Sequence, residues 1–454
     1  MDISAILQDQ NPWWREPLAR GARSYPVRRD LQPKLLDALR MEDRRAAIVI
    51  GPRQVGKTVL LLQLADDLLD GGLPATHLTY FDFSDDRVTE EVSPRQIVEH
   101  RIGSLEDEIP QVFLFDEIRL GKHWARWLKQ AVDHRVGRIV ATDSAASLLR
   151  DAGRESGQGR WDEHRIEGLS FREFARLHGR VQMGDGDENE EDPFHLVRRL
   201  PNLAERYLEL GGFPEHALSE RYDEVRRRLR EDIVDRAILR DLTRFDVDVP
   251  RVRDLFVYVI QDSGALFKAK NRAVDLGADP RTVGGWLELL EDTLLLARLP
   301  KYAEHAAARL RASPKMFAAD PGLVSAFSEL SARDEEVRSK LFEAAVFRHL
   351  RDVARDRGGE LSFFRDRENL EVDFVLEDPG AGTVAIEVTS SPRLRPRKIE
   401  RLVRAAGRLG TDRRVLIYGG VAEEVVEGVR GLSLRRFLLE PETVLAAVKG
   451  GEAG

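Results

Sequence analysis

Ala46-Ala47-Ile48-Val49-Ile50, Gly51-Pro52-Arg53-Gln54-Val55-Gly56-Lys57-Thr58 is the stretch whose reading decides the fold. Its first five residues are apolar and make a short strand. Leu60, Leu61, Leu62, Leu64, Leu68 and Leu69 make the run from Thr58 to Leu69 an apolar helix. The loop between them is framed by Gly51 and Gly56 and leads straight into a helix N-terminus. Bare backbone N–H groups in that setting converge on one point, and such a point attracts an anion. Lys57 adds a full positive charge, and Thr58 adds a hydroxyl that a divalent cation can share. Gly51, Pro52, Arg53, Gln54, Val55, Gly56, Lys57, Thr58 and Val59 are therefore read as the cradle of a nucleoside triphosphate, ATP, carried with Mg²⁺.

A second stretch, Val112-Phe113-Leu114-Phe115-Asp116-Glu117, has the form of a buried central strand that ends in two acids. Strands of a parallel sheet end on one edge, so this pair emerges beside the loop. Asp116 is assigned to the Mg²⁺ shell, and Glu117 to orienting and deprotonating an attacking water. A third strand, Arg138–Thr142, runs into Asp143-Ser144. A polar side chain at Thr142, Asp143 or Ser144 reaches between the γ-phosphate and the acidic pair, or else caps the following helix. Gly159-Arg160 follows a polar, glycine-containing loop. A guanidinium there suits charge developing on the γ-phosphate, in cis or from a neighbouring subunit; a plain surface arginine is the other reading.

Composition limits what surrounds this site. A chain of 454 residues, 42% apolar and 33% charged, is soluble and exceeds what one core supports, which predicts several domains. No apolar run reaches the ~20 residues that cross a bilayer, and Met1–Gln10 lacks the basic start of a secretory leader. The absence of cysteine excludes disulfides and thiolate metal sites. A cytoplasmic protein without a membrane partner is expected. The net charge of −8 argues against wholesale coating of nucleic acid and leaves a local basic face open.

Five segments follow from pattern changes. Residues 1–45 form an arm with Asn11-Pro12-Trp13-Trp14 and a helix near Leu31–Met41, and adjacent tryptophans so placed pin an arm onto the domain behind it. Residues 46–178 alternate strands (Ala46–Ile50, Leu78–Phe83, Val112–Phe115, Arg138–Thr142) with helices, the rhythm of a parallel sheet covered on both faces. Residues 179–249 open with an acidic spacer at 184–193 and continue as helices broken by Gly211-Gly212-Phe213-Pro214. Residues 250–330 contain a helix–turn–helix pattern between Ala273 and Leu299, the rhythm of a winged helix. From 331 to 454 a new pattern begins: a helix from about Leu341, then strands at Leu361–Phe364, Glu371–Leu376 and Val384–Val388.

Taken in order, Gly51–Thr58 with Arg53-Gln54, Asp116-Glu117, the Ser144 turn, Gly159-Arg160, Leu169–Phe174 and Gly211–Pro214 resemble prokaryotic AAA-superfamily ATP-binding proteins of the branch allied to STAND regulators. The resemblance covers nearly the whole chain. It implies an α/β architecture: a P-loop NTPase parallel sheet, a helical lid, a winged helix, and a C-terminal domain related to the restriction-endonuclease fold. It further implies that Arg160 is an arginine finger or cis sensor, that Pro214 packs near the adenine, and that a homo-oligomer could form. One departure is Asp143, where relatives carry glycine in a Thr-Gly-Ser turn.

In the last segment, Glu371-Val372-Asp373-Phe374-Val375 and Ile386-Glu387-Val388-Thr389 resemble the metal-binding strands of PD-(D/E)xK nucleases. The resemblance implies Asp373 and Glu387 as ligands of a second divalent ion, with Glu343 as an additional carboxylate. The lysine of that motif is replaced by Thr389, and Lys398 and Arg365 are the nearest substitutes by sequence. Residues 393–414 carry nine Arg or Lys against Glu400 and Asp412, so their helical part presents a basic face suited to phosphates or to acidic neighbours. The presumed recognition helix of the winged helix holds Arg281 beside Glu288, Glu291 and Asp292, a poor match to a polyanion. Three outputs stay open: an ATPase coupled to DNA or another nucleic acid, a regulatory switch acting on a protein partner, and an ATP-regulated nuclease.

Overall fold

The structure, a computed structural model, describes residues 2–21, 25, 27–40, 45–102, 111–144, 159–183, 193–199, 202–231, 242, 245–303, 305, 309 and 312–446. The acidic spacer at 184–192 lies outside them. The chain divides into two compact units, Met1–Glu167 with Asp292–Leu294, and Gly168–Glu291 with Leu295–Gly454.

The first unit is built on a parallel sheet of five strands: β1 (Ala46–Gly51), β2 (Leu78–Asp82), β3 (Val112–Asp116), β4 (Arg138–Ser144) and β5 (Trp161–Arg165), in the order β2-β3-β4-β1-β5. β1 and β3 are buried along their whole length, as continuous apolar runs in a doubly covered sheet must be. Ile48, Ile50, Phe113, Phe115, Trp127 and Leu128 share one core. β4 lies between β1 and β3, with Gly51 opposite Ser144 and Phe115 opposite Ala141, so the three carboxyl ends open at one level.

The open edge of β2 is covered by the N-terminal arm. Asn11 Nδ2 donates to the Tyr80 carbonyl (2.8 Å), Tyr80 N–H donates to Asn11 Oδ1 (2.7 Å), and both tryptophan indoles donate to the Leu78 carbonyl. An exposed strand edge invites pairing with other chains, and this arm occupies it. The opposite edge, β5, was not foreseen. Its sequence Trp-Asp-Glu-His-Arg lacks apolar alternation, and only backbone pairing with β1 makes it a strand.

The second unit starts with a helix, Phe171–Met183, closed by a capping box: Ser170 N–H donates to Glu173 Oε2 (2.7 Å), and Glu173 N–H donates to Ser170 Oγ (3.2 Å). Gly211, at φ 74°, lies where a Cβ would meet Asp320 Oδ1 at 1.9 Å, while Gly212 N–H donates to Asp320 Oδ2 (2.8 Å). The glycines before Pro214 are thus required by a close backbone crossing with Asp320–Gly322. Helices Val249–Gln261, Ala269–Leu276 and Pro280–Asp292 follow, then an antiparallel ribbon of β6 (Leu296–Leu299) and β7 (Lys315–Ala318).

The remaining strands form a mixed sheet, β12-β13-β11-β10-β9-β8. They are β8 (Glu360–Arg365), β9 (Glu371–Asp378), β10 (Gly382–Thr389), β11 (Arg414–Tyr418), β12 (Glu424–Val426) and β13 (Val429–Ser433). Helix Glu335–Arg357, capped by Asp334, begins earlier than its apolar pattern suggests because its first turn is acidic. Helix Pro396–Leu409 buries Ile399, Leu402, Ala405 and Ala406 against the sheet. Among the described residues, no helix is long and apolar enough to cross a membrane.

Candidate nucleotide site and a second charged cluster

The loop after β1 takes the shape its residues demand. Gln54 (φ 64°) and Gly56 (φ 91°) turn the backbone through the left-handed region, and helix Lys57–Asp70 starts directly behind. A Cβ on Gly51 would lie 2.2 Å from the Ile166 carbonyl, so only glycine lets β1 leave the sheet there. The arm braces the loop from behind. Buried Arg29 donates to the carbonyls of Val55 (2.7 Å) and Glu167 (2.8 Å), a role that sequence reading missed because a lone arginine in an arm carries no pattern.

Lys57 is buried, and its ammonium donates to the carbonyls of Gly51 (3.0 Å) and Pro52 (3.1 Å). It also stands 3.7 Å from Glu117 Oε1. Asp116, at the end of β3, accepts hydrogen bonds from Tyr80 Oη (3.2 Å), from the Thr142 hydroxyl and from the Thr58 side chain. Burial pushes its carboxyl up on balance, against the opposing hydrogen bonds of Thr142 and Thr58. Glu117 sits at φ 48° with its N–H on Thr142 Oγ1 (3.1 Å), so Thr142 ties both acids to β4. A non-glycine residue in the left-handed region is a local strain that surrounding structure must hold. Thus Lys57, Thr58, Asp116 and Glu117 are brought together at one sheet edge.

Of the three residues at the end of β4, Thr142 is engaged as described and Asp143 forms a feature of its own. Asp143 is fully buried, 3.4 Å from Arg119, and its Oδ1 accepts from Ser144 N–H (2.6 Å). Its Oδ2 is buried without a hydrogen-bond partner. Burial first, then the neighbouring Glu117 charge, push its carboxyl up to about 8.

Arg160 requires a correction. Its carbonyl accepts from Ala46 N–H (3.1 Å) and its guanidinium pairs with Asp133 (3.0 Å). Ala46 begins β1, and the loop begins at its far end, about 16 Å away at the rise of a strand. A cis sensor role within this unit is therefore set aside; the flexible loop expected around Arg160 is in fact the entry to β5. Pro214 belongs to the second unit, where it opens the short helix Pro214–Ala217. Its packing on adenine rests on the resemblance alone.

In the mixed sheet, Asp373 Oδ2 accepts from Val388 N–H (2.9 Å), and Lys398 donates to Glu387 Oε1 (2.6 Å) and to the Val388 carbonyl (3.1 Å). Lys315, from β7, lies 2.5 Å from Glu371 and 4.0 Å from Asp373. Burial opposes the charge on both lysines, but the surrounding carboxylates outweigh it and raise them. Glu343 is pushed up to about 8 by burial and by the Asp373 charge. Lys398, not Arg365, reaches Glu387; Arg365 contacts Asn369 (2.8 Å) and Glu371 (3.6 Å). Asp373 and Glu387, the expected ligands of a second metal ion, are brought close together, since Asp373 accepts from the N–H of the residue after Glu387. Among the described residues, no group of three or more His, Asp or Glu side chains is placed to hold a metal ion, and these carboxylates face ammonium groups.

Comparison with known proteins finds a family match over the segment that holds the first of these sites. Residues 43–175 match the family described as "AAA domain". The parallel sheet, the loop and this match support an AAA-type ATPase-like domain over these residues. Residues 202–334 and 338–437 match two further families, each described as a domain of unknown function (DUF8612 and DUF4143). An uncharacterized protein of Haemophilus influenzae is 26% identical over 286 residues, 61% of this chain and 67% of its own length. Among solved structures, the Walker-type ATPase PABY2304 of Pyrococcus abyssi aligns over 68% of this chain and 98% of its own, at 17% identity and a TM-score of 0.43. AMPPCP-bound DnaA from Aquifex aeolicus aligns over 57% and 86%, at 14% identity and a TM-score of 0.26. These structural likenesses transfer no function to this chain.

Proposed function

We propose that this protein is a cytoplasmic, Mg²⁺-dependent ATPase whose nucleotide cycle is coupled to nucleic-acid binding or remodelling. The observation that carries the ATPase reading is the convergence of Lys57, Thr58, Asp116 and Glu117 where β1 and β3 end. The donor set suits the nucleotide. The ammonium of Lys57 rests on neutral carbonyls, which a phosphate can replace, and Mg²⁺ is normally held by one or two protein oxygens together with phosphates. Thr58 and Asp116 would supply those oxygens, and bound Mg²⁺ would neutralise charge on the phosphates. The N–H groups of residues 53–58 and Lys57 bind the phosphates, while Glu117 takes a proton from the attacking water. Thr142 keeps both acids in register. Arg160 would act only across a subunit boundary, in a homo-oligomer. The three helices and ribbon of residues 249–318 serve as a winged-helix contact surface, and the C-terminal sheet as a nuclease-like module retained for binding.

Calorimetry with a non-hydrolysable ATP analogue and Mg²⁺ tests the site. Lys57→Ala should lose binding, and wild-type affinity in that variant would overturn the assignment. Coupling is tested by ATPase rates with and without DNA at two salt concentrations, where stimulation that fades with salt supports a nucleic-acid partner. A second reading, a switch acting on a protein partner with a C-terminal domain that does not cut, is favoured by the Lys398–Glu387 and Lys315–Glu371 pairs. Indifference of the ATPase to DNA would support it. Plasmid nicking in Mn²⁺ that vanishes in Asp373→Ala would overturn it in favour of a nuclease.

A further inference from the structure

Helix Pro396–Leu409 turns one face to the mixed sheet and leaves another in solvent. Arg397, Arg401, Arg404 and Arg408 recur at intervals of four, three and four residues, which stacks them in one row, and all four are exposed. Arg408 is held by Asp366 (3.5 Å) and Glu368 (3.0 Å). Arg397, Arg401 and Arg404 have no ion pair and no hydrogen bond among the described residues. Other arginines of the second unit are paired, among them Arg338 with Glu205, Arg357 with Asp378 and Arg298 with Glu291. Glu400, the helix's one acid, is also exposed but pairs with none of the three, and like charges four apart on a helix cost about 0.2–0.5 kcal/mol per pair.

We propose that this row is a docking surface for the phosphate backbone of a nucleic acid, bound without regard to sequence. The proposal rests on the nucleic-acid reading above and names its surface. From Arg397 to Arg408 the helix rises about 16 Å, close to the rise of five nucleotides along one strand of a duplex. Guanidiniums engage phosphates by two parallel N–H bonds, and the exposed face carries no Asn or Gln to read base edges. Nor does it carry an aromatic or large aliphatic side chain that would enter a bilayer or anchor a protein interface. Lys398, one residue along, turns away from the row to Glu387 and takes no part.

The test is fluorescence anisotropy of a labelled duplex with the full chain and no nucleotide, at 50 and 200 mM salt. The triple variant R397A/R401A/R404A should bind at least tenfold more weakly at the lower salt. Its log–log salt slope should shrink by about 2.7, at ~0.9 per phosphate contact removed. The matching arginine-to-lysine triple should recover most of that slope, which separates charge from any effect on folding. Unchanged binding by the alanine triple would overturn the surface while leaving the nucleic-acid reading intact. Wild-type protein that binds no duplex would overturn both. Binding to vesicles containing phosphatidylserine that duplex does not displace would overturn the proposal in favour of a lipid surface.

Discussion

At the end of β1, Lys57 gives its ammonium to two backbone carbonyls and stands 3.7 Å from the nearest carboxylate. In the mixed sheet, Lys398 stands 2.6 Å from Glu387 and Lys315 2.5 Å from Glu371. Both regions gather acids and lysines at strand ends, yet only the first holds its cation on partners that leave it free to move to a phosphate. Moving Lys398 or Lys315 would break an ion pair in a largely dry setting and strand the acid, which is costly. A cluster that looks catalytic by residue type can therefore be a closed structural unit, and what its lysines touch distinguishes the two.

The largest effect that could break this comparison lies in the first region. Glu117→Gln should retain ATP binding and lower turnover by about 10²–10⁴, the range for a missing general base. Steady-state hydrolysis alongside analogue binding checks it; turnover near wild type would remove Glu117 from the chemistry and leave the first cluster no more catalytic than the second.

A difference in stability follows from the same contrast. Lys315 is buried, and Lys315→Met removes the cation shared by Glu371 and Asp373, leaving Glu371 only the looser contact with Arg365 (3.6 Å). Urea unfolding should show a loss of about 2–4 kcal/mol, somewhat below the cost of breaking a fully buried pair because Glu371 keeps some solvent contact. Lys57→Met frees two carbonyls and leaves Glu117 without a cation that stood 3.7 Å away, a looser contact than Lys315 with Glu371, so its cost should be smaller, about 1–2 kcal/mol. Equal losses in the two variants would mean that Lys57 is as structural as Lys315.

The sequence exposed the first region far better than the second, and the reason is physical. A phosphate cradle is written in contiguous residues, Gly51 to Thr58, and the acidic pair closes an apolar run, so both are readable as strings. β5 stayed hidden because Trp-Asp-Glu-His-Arg is an edge strand specified by its neighbour's backbone, and this moved Arg160 from the catalytic edge to the far end of β1. Arg29 bracing Val55 is a contact across 26 residues that no local pattern announces. The C-terminal carboxylates were legible as strand motifs, and Lys398 was one of two cations near enough in sequence to reach them. Lys315 was not foreseen, because it arrives from a ribbon 58 positions before Asp373.

The smallest expected effect tests a feature the two regions share. Each contains a carboxyl whose ionised form burial strongly disfavours: Asp143, pushed from 3.8 up to about 8, and Glu343, pushed from 4.5 up to about 8. Between the unfolded and folded values the native protein retains a proton that the unfolded chain has released. Stability from each group is therefore complete below about pH 4 and is lost as pH rises toward 8, by at most about 1.4 kcal/mol per pH unit. Asn and Gln cannot ionise, so Asp143→Asn and Glu343→Gln should each flatten the fall in stability between pH 5 and 8. Arg119 stands 3.4 Å from Asp143 and favours its charged form, whereas Glu343 faces Asp373 and Glu387 as well as Lys315 and Lys398. With both folded values near 8, the flattening should be of similar size for Asp143→Asn and Glu343→Gln in urea titrations at pH 5, 6, 7 and 8. Flattening in Asp143→Asn but not in Glu343→Gln would mean that the lysines keep Glu343 ionised, and that the second cluster is more fully charged than its burial suggests.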